Sequence, residues 1–323
     1  MPEMMACGPP LENPYFYNDP METTHIHFCL TDLLRAASPA LDAGVRPQSF
    51  ASPHHSRQVA YIALRVGRLV FLSEREAVDL VALALLRDIG VSPDCLYNTT
   101  SHCRAGEKSL STLLNPAIPM EALRYHHENY NGTGLFGLHG QDIPLAAQIL
   151  RLADVLTTRF DLAAAYRDAR LRERIEADVR KRSGTIYSPE TADAFLNLAE
   201  QSSFWYELTN PVVDHALAQR CPRLTADLPL RDIRQITRLL AGAVRARKSH
   251  TTNVSLRSRR SNGHIVRWAL SHRLAKDVIR KMLIAEDLRA LGLVVPGYAF
   301  ETVEGFYSPL RPTSASALVS RIS

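Results

Sequence analysis

Two adjacent histidines open the run His126-His127-Glu128-Asn129-Tyr130-Asn131-Gly132-Thr133-Gly134. Ile143-Pro144 follows, and then an apolar stretch carrying a single acid, Asp154. Imidazoles and carboxylates are the ligands that Zn, Mn and Fe accept, and a glycine-rich turn lets backbone come close to a ligand. The chemistry such a set points to is a metal site that handles phosphate. Neighbouring residues on a helix project about 100° apart. On a helix, this histidine pair can therefore serve two neighbouring ions, or one ion and a substrate phosphate.

Those side chains need elements to hold them. Ser52-Pro53 supplies an N-cap and a proline at the first helical position, and Val59, Ile62, Ala63, Val66, Leu69 and Val70 then form one apolar stripe. His55 lies four residues before Val59 and shares its buried side. Ser73 and Glu76 make a capping-box signature for the next helix. That helix runs from Ala77 to Leu86, apolar nearly all round, and Gly90 is placed as its C-cap. Val81, Leu85 and Asp88 share its inward face. Further helices are expected at about 25–37, 103–114, 119–128, 144–160, 168–182 and 189–200, the last starting at Ser188-Pro189. Strand signals are few, so the chain reads as all-α. For each of His55, Asp88 and Asp154 alone, a hydrogen-bonded core residue or an ion pair explains burial as well as a metal does.

The 323 residues suffice for one large domain or two. Apolar residues at 46% and charged residues at 22% are ordinary for a soluble protein, and a net charge of +5 by itself calls for no nucleic acid. Cys7, Cys29, Cys95, Cys103 and Cys221 form no C-x-x-C pair, which argues against a disulfide framework and for a reducing cytoplasm. The first 25 residues include Pro9, Pro10, Pro14 and Pro20 and no basic or apolar leader region, so a signal peptide is not expected. Nor does any 18-residue uncharged apolar run suggest a membrane span. Residues 1–22 read as a loose tail, 23–205 as the main domain, 206–228 as a proline-punctuated linker, 229–295 as a smaller helical module and 296–323 as a second tail.

The motifs resemble the HD-GYP family of metal-dependent phosphodiesterases, which degrade cyclic di-GMP. His55-Ser56-Arg57-Gln58-Val59, Arg87-Asp88-Ile89-Gly90-Val91, His102-Cys103-Arg104-Ala105-Gly106, His126 to Phe136, and Ala153-Asp154 follow in the family's order. The resemblance implies an HD-type helical bundle and metal ligands at His55, Asp88, His102, His126, His127 and Asp154. Asp88, as a bridging carboxylate, carries the catalytic assignment. Arg87, Asn131, Gly132 and Gly134 are the positions expected to meet substrate. The implied cofactor is divalent iron or manganese, and the implied ligand a cyclic dinucleotide.

Several positions depart from that pattern. Ala51 stands where a carboxylate is expected, Arg87 where the histidine of the His-Asp pair belongs, and Val91 where a lysine would touch phosphate. Asn131 replaces an aspartate, Leu135-Phe136 replace Tyr-Pro, and Gln148 replaces an arginine. Arginine cannot deprotonate to become a ligand. Its guanidinium either points inward, pairing with Asp88 or Asp154 in place of an ion, or points outward at the helix end. These departures lead to an expectation of one ion or none, and of weak or absent hydrolysis. The alternative is a non-catalytic regulator that binds a nucleotide or a protein partner.

The spacing from Ser255 to Asp287 is 32 residues, against 33 from His55 to Asp88, so 229–292 reads as a worn, truncated second HD-like module or an unrelated helical subdomain. Its basic residues, Arg257, Arg259 and Arg260 among them, lack interleaved aromatics, which favours a solvated face over a nucleic-acid surface.

Overall fold

The computed structural model describes residues 25–42, 54–91, 99–111, 119–248, 283–284, 287–288, 300–303 and 306–309. Strand β1 (His25–Cys29) runs straight into α1 (Leu30–Asp42). Helices α2 (His55–Leu69), α3 (Glu74–Leu86), α4 (Thr99–Ser111), α5 (Glu121–Tyr125) and α6 (Leu145–Arg159) build the region around the histidines. Helices α7 (Leu162–Ala165), α8 (Ala169–Arg182), α9 (Pro189–Ala199), α10 (Ser202–Glu207) and α11 (Val213–Arg220) close over it. Strand β2 (Thr225–Pro229) then pairs with β1 and leads into α12 (Leu230–Lys248). The architecture is all-α with two short two-stranded ribbons.

Helix α2 is the hub, packing on α1, α3, α6, α9 and α11. Val59, Ile62, Ala63 and Val66 of the expected stripe are fully buried, as are Ala60, Tyr61 and Leu64 on the other sides. Leu69 departs from the stripe: it is 41% exposed in the last turn, just before the chain reverses through Phe71 at φ 64°. The capping box of α3 forms as expected. Ser73 Oγ accepts from Glu76 N, and the Glu76 carboxylate accepts from Ser73 N at 2.9 Å. Ser188 likewise caps α9, with Pro189 in its first turn.

Four expectations are corrected. The first helix does not begin at 25, because His25–Cys29 is a strand whose partner lies some two hundred positions away; no local pattern carries that pairing. The cap residue of α2 is His54, with no side-chain cap bond, while Ser52 and Pro53 lie outside the described residues. The segment 206–228 is built into the core rather than being a linker. Gln58 Nε2 donates to Leu208 O at 2.9 Å, the Tyr61 hydroxyl donates to Glu207, and Val213 and Leu217 are fully buried. Within the expected C-terminal tail, β3 (Phe300–Val303) pairs antiparallel with β4 (Phe306–Pro309). The basic cluster at 257–260 and most of the expected helical module beyond residue 248 lie outside the described residues.

Gly90 has a different role from the one its position suggested. The cap residue of α3 is Arg87, and Gly90 instead lets the end of α3 press against α4. A Cβ on Gly90 would meet His102 O at 2.2 Å and Gly106 N at 2.5 Å, both backbone atoms. Gly90→Ala is therefore expected to destabilise the protein by about 1–3 kcal/mol. A urea titration checks this, and an unchanged midpoint would show that α4 shifts freely.

Candidate metal centre

The six expected ligands come together from the ends of α2, α3, α4 and α5 and from within α6, and they sort into two groups. His102, His126 and His127 form one, joined by Cys103, with their donor atoms all within 4.8 Å of one another. His55, Asp88 and Asp154 form the other.

In the first group, His102 Nε2 and His127 Nε2 are 3.3 Å apart, and Cys103 Sγ lies 3.6 Å from His102 Nε2. Helix α5 ends at Tyr125, so His126 and His127 sit at its cap and in the following turn. Their rings lie 4.0 Å apart, and both turn towards one cluster instead of diverging as they would along a continuous helix. His126 Nδ1 is 2.6 Å from Leu123 O, which fixes that nitrogen as the N–H donor. Its Nε2 is then a lone-pair acceptor, buried and without a hydrogen-bond partner. Burial lowers the His126 and His127 pKa values, His127 well below the ordinary histidine value. Both rings are thus held neutral, the form that ligates metal. A divalent transition ion fits this half, because it answers the orphaned nitrogen with the donor chemistry already in place.

The second group is organised around a cation that the chain itself supplies. Arg87 is 1% exposed. Its Nε donates to Asp154 Oδ1 at 3.0 Å, its Nη2 lies 3.1 Å from Asp88 Oδ2, and its Nη1 donates to Ser56 Oγ at 3.1 Å. The Ser56 hydroxyl in turn donates to Asp42, whose other oxygen accepts from Ser56 N at 3.1 Å. His55 Nε2 stands 3.4 Å from Asp154 Oδ1. Burial works against ionising Asp154, but Arg87 and His55 outweigh it and hold the carboxyl well below the usual range. Asp88 is likewise held low by Arg87 against burial. Of the two orientations open to Arg87, the structure has the inward one.

The glycine turn is scaffolding for the histidines. Glu128 is buried and accepts from Phe136 N at 2.7 Å and Leu138 N at 2.8 Å, tying the loop back beneath His127. Gly134 is needed for that approach, since a Cβ there would lie 2.6 Å from Glu128 Oε1 and 2.7 Å from Asn129 N. Gly132 takes φ +82°, and the exposed Asn131 uses its Oδ1 to accept from Thr133 N and Oγ1. Gln148 donates to Ile143 O at 2.7 Å. Ala51 lies outside the described residues.

Two members of the site were not found by sequence reasoning. Asp42 is carried in by α1 from outside every motif, and nothing in its local sequence marks it. Cys103 had a signal, its place directly beside His102, and burial pushes its thiol up to about 12.

Residues 46–182 match the family model for the HD domain. This part of the chain is similar to HD domains. Relatives include a cyclic di-GMP phosphodiesterase of Thermotoga maritima, 26% identical over 46% of this chain and 44% of that protein. The cyclic di-GMP phosphodiesterase response regulator RpfG of Xanthomonas campestris is 30% identical over 43% of this chain and 41% of that protein. A 3′3′-cGAMP-specific phosphodiesterase of Vibrio cholerae is 25% identical over 56% and 38%. The chain spans less than half the length of each of these relatives. A crystal structure of a cyclic GMP-AMP-specific phosphodiesterase from V. cholerae shares the fold, with a TM-score of 0.63 at 19% identity over 82% of this chain and 71% of that one. No described helix is long and apolar enough to cross a membrane.

Removing the cation from this site leaves buried carboxylates uncompensated. Arg87→Met is expected to cost about 3–5 kcal/mol of stability in metal-free protein, read from denaturant midpoints in the presence of chelator. A loss below about 1 kcal/mol would show that the carboxylates have another counter-charge.

Proposed function

We propose that the chain is a metal-dependent phosphodiesterase framework of HD-GYP type, built for cyclic di-GMP or a related phosphodiester, in which hydrolysis is weak or lost. The observation that carries this reading is Arg87, ion-paired with both Asp88 and Asp154 where a second ion would need their oxygens. Phosphodiester hydrolysis of this kind relies on two ions about 3.5–4 Å apart. A guanidinium supplies positive charge to the same carboxylates but cannot give up a proton to become a ligand.

His102, His126 and His127 would hold the remaining ion, for which the family resemblance points to iron or manganese. Bound there, it would supply Lewis-acid polarisation of a phosphoryl oxygen and acidify a water. The protein's own contributions are positional. Glu128 and Gly134 fix the turn that carries His127, and Leu123 O orients His126. Asp88 and Asp154 have their negative charge met by Arg87, so their oxygens are poorly placed to recruit a second cation. Asn131 and Gly132 present an exposed turn beside the histidines, suited to contacting the sugar-phosphate of a dinucleotide. The positions of Val91 and Gln148 lack the cations that would grip its phosphates.

With Mn2+ or Fe2+ supplied, the purified protein is expected to turn over cyclic di-GMP well below about 1 per second, the lower end of ordinary enzyme rates. Arg87→His should raise both the metal content, from one ion towards two, and the turnover. Wild-type turnover at about 1 per second or faster would overturn the reading.

The same Arg87 geometry favours a second reading, a non-catalytic regulator that binds a cyclic dinucleotide or a protein partner in second-messenger signalling. Calorimetric binding of cyclic di-GMP without turnover, unchanged in Arg87→His, would select it.

A further inference from the structure

We infer that Cys103 is the fourth ligand of a closed three-histidine, one-cysteine site, which selects zinc and holds it structurally. The inference rests on the reading that the histidine cluster binds an ion, and it changes which ion and to what end.

The spacing of the donor atoms carries it. A tetrahedral centre with Zn–N of about 2.0–2.1 Å and Zn–S of about 2.3 Å requires N···N edges of about 3.3–3.4 Å and N···S edges of about 3.5–3.6 Å. The His102–His127 edge is 3.3 Å, and the His102–Cys103 edge is 3.6 Å. Cys103 Sγ also lies 4.0 Å from His126 Nδ1, the nitrogen tied to Leu123 O, which places the thiol beside the His126 ring without being an edge of the centre. Independently, His126 keeps a fully buried Nε2 with no partner, while its Nδ1 is tied to Leu123 O. That is the arrangement in which a backbone carbonyl fixes the tautomer of a metal-bound histidine.

The donor set decides the metal. Manganese favours carboxylate, carbonyl and water oxygens; imidazole suits iron as well as zinc, and a thiolate completing a closed four-ligand set favours zinc. The carboxylates Asp88 and Asp154 belong to the other group, where Arg87 engages them. His102, Cys103, His126 and His127 are all buried. Four protein ligands leave no open position for water, the mark of a structural site. On binding, the Cys103 thiol proton passes to solvent and the sulfur lone pair bonds to the ion.

The test uses the full chain. Zinc-edge X-ray absorption on wild-type protein is expected to show one sulfur and three imidazole nitrogens, with about one zinc retained per chain when zinc and manganese are offered at equal concentration. Replacing zinc by Co2+ should give a thiolate-to-cobalt charge-transfer band that vanishes in Cys103→Ser, whose folding is checked by near-UV circular dichroism. That variant should also bind zinc at least about tenfold more weakly, as expected when a site loses part of its ligand support. A zinc edge without sulfur, or a cobalt band that persists in Cys103→Ser, would overturn the ligand assignment and leave the proposed function standing. Retention of manganese over zinc would overturn the selectivity. Rapid hydrolysis of cyclic di-GMP with the sulfur signature intact would instead overturn the proposed function alone. Wild-type protein that retains no ion would overturn this inference and the assignment of an ion to the histidines, while leaving weak or lost hydrolysis standing.

Discussion

One guanidinium ties four helices together. Arg87 reaches Asp154 on α6, Asp88 in its own turn and Ser56 on α2, and through Ser56 it is linked to Asp42 at the end of α1. Each carboxylate would be costly to bury alone. Together around an arginine they satisfy one another, and the planar, forked donor set of arginine suits several acceptors at once in a way lysine would not. The three carboxylates are buried together only because this charge is among them.

That constraint divides the pocket into two halves with different chemistry. On one side the charges are balanced within the chain. On the other, neutral imidazoles and a thiol are packed together with a buried nitrogen left unanswered. The glycine turn fits the same view. Its most conspicuous residues, Glu128 and Gly134, are explained by backbone hydrogen bonds and close approach, with no substrate needed to account for them.

A similar pairing recurs in the C-terminal part. Asp287, at the position that corresponds by spacing to Asp88, is fully buried and ion-paired with Arg234 and Arg245 of α12. Arginine is the counter-charge at both aspartates, and α12 packs on α1, so it joins the first core.

Much of this was legible in the chain itself, because the signals are local. The capping box at Ser73 and Glu76, the proline start of α9, the apolar run of α3 and the ordered series of His and Asp motifs each lie within a few residues, and each recurs in the structure. They determined the all-α class and which side chains would converge. What only the tertiary structure decided depends on contacts between distant segments. These are the pairing of β1 with β2, the docking of 206–220 on α2, and the arrival of Asp42 beside Ser56. The same holds for the inward turn of Arg87 and the gathering of His126 and His127 around His102 and Cys103. Composition and periodicity fix which face of a helix is buried. The partner that a buried charge finds there is set by electrostatics among neighbours that folding brings together.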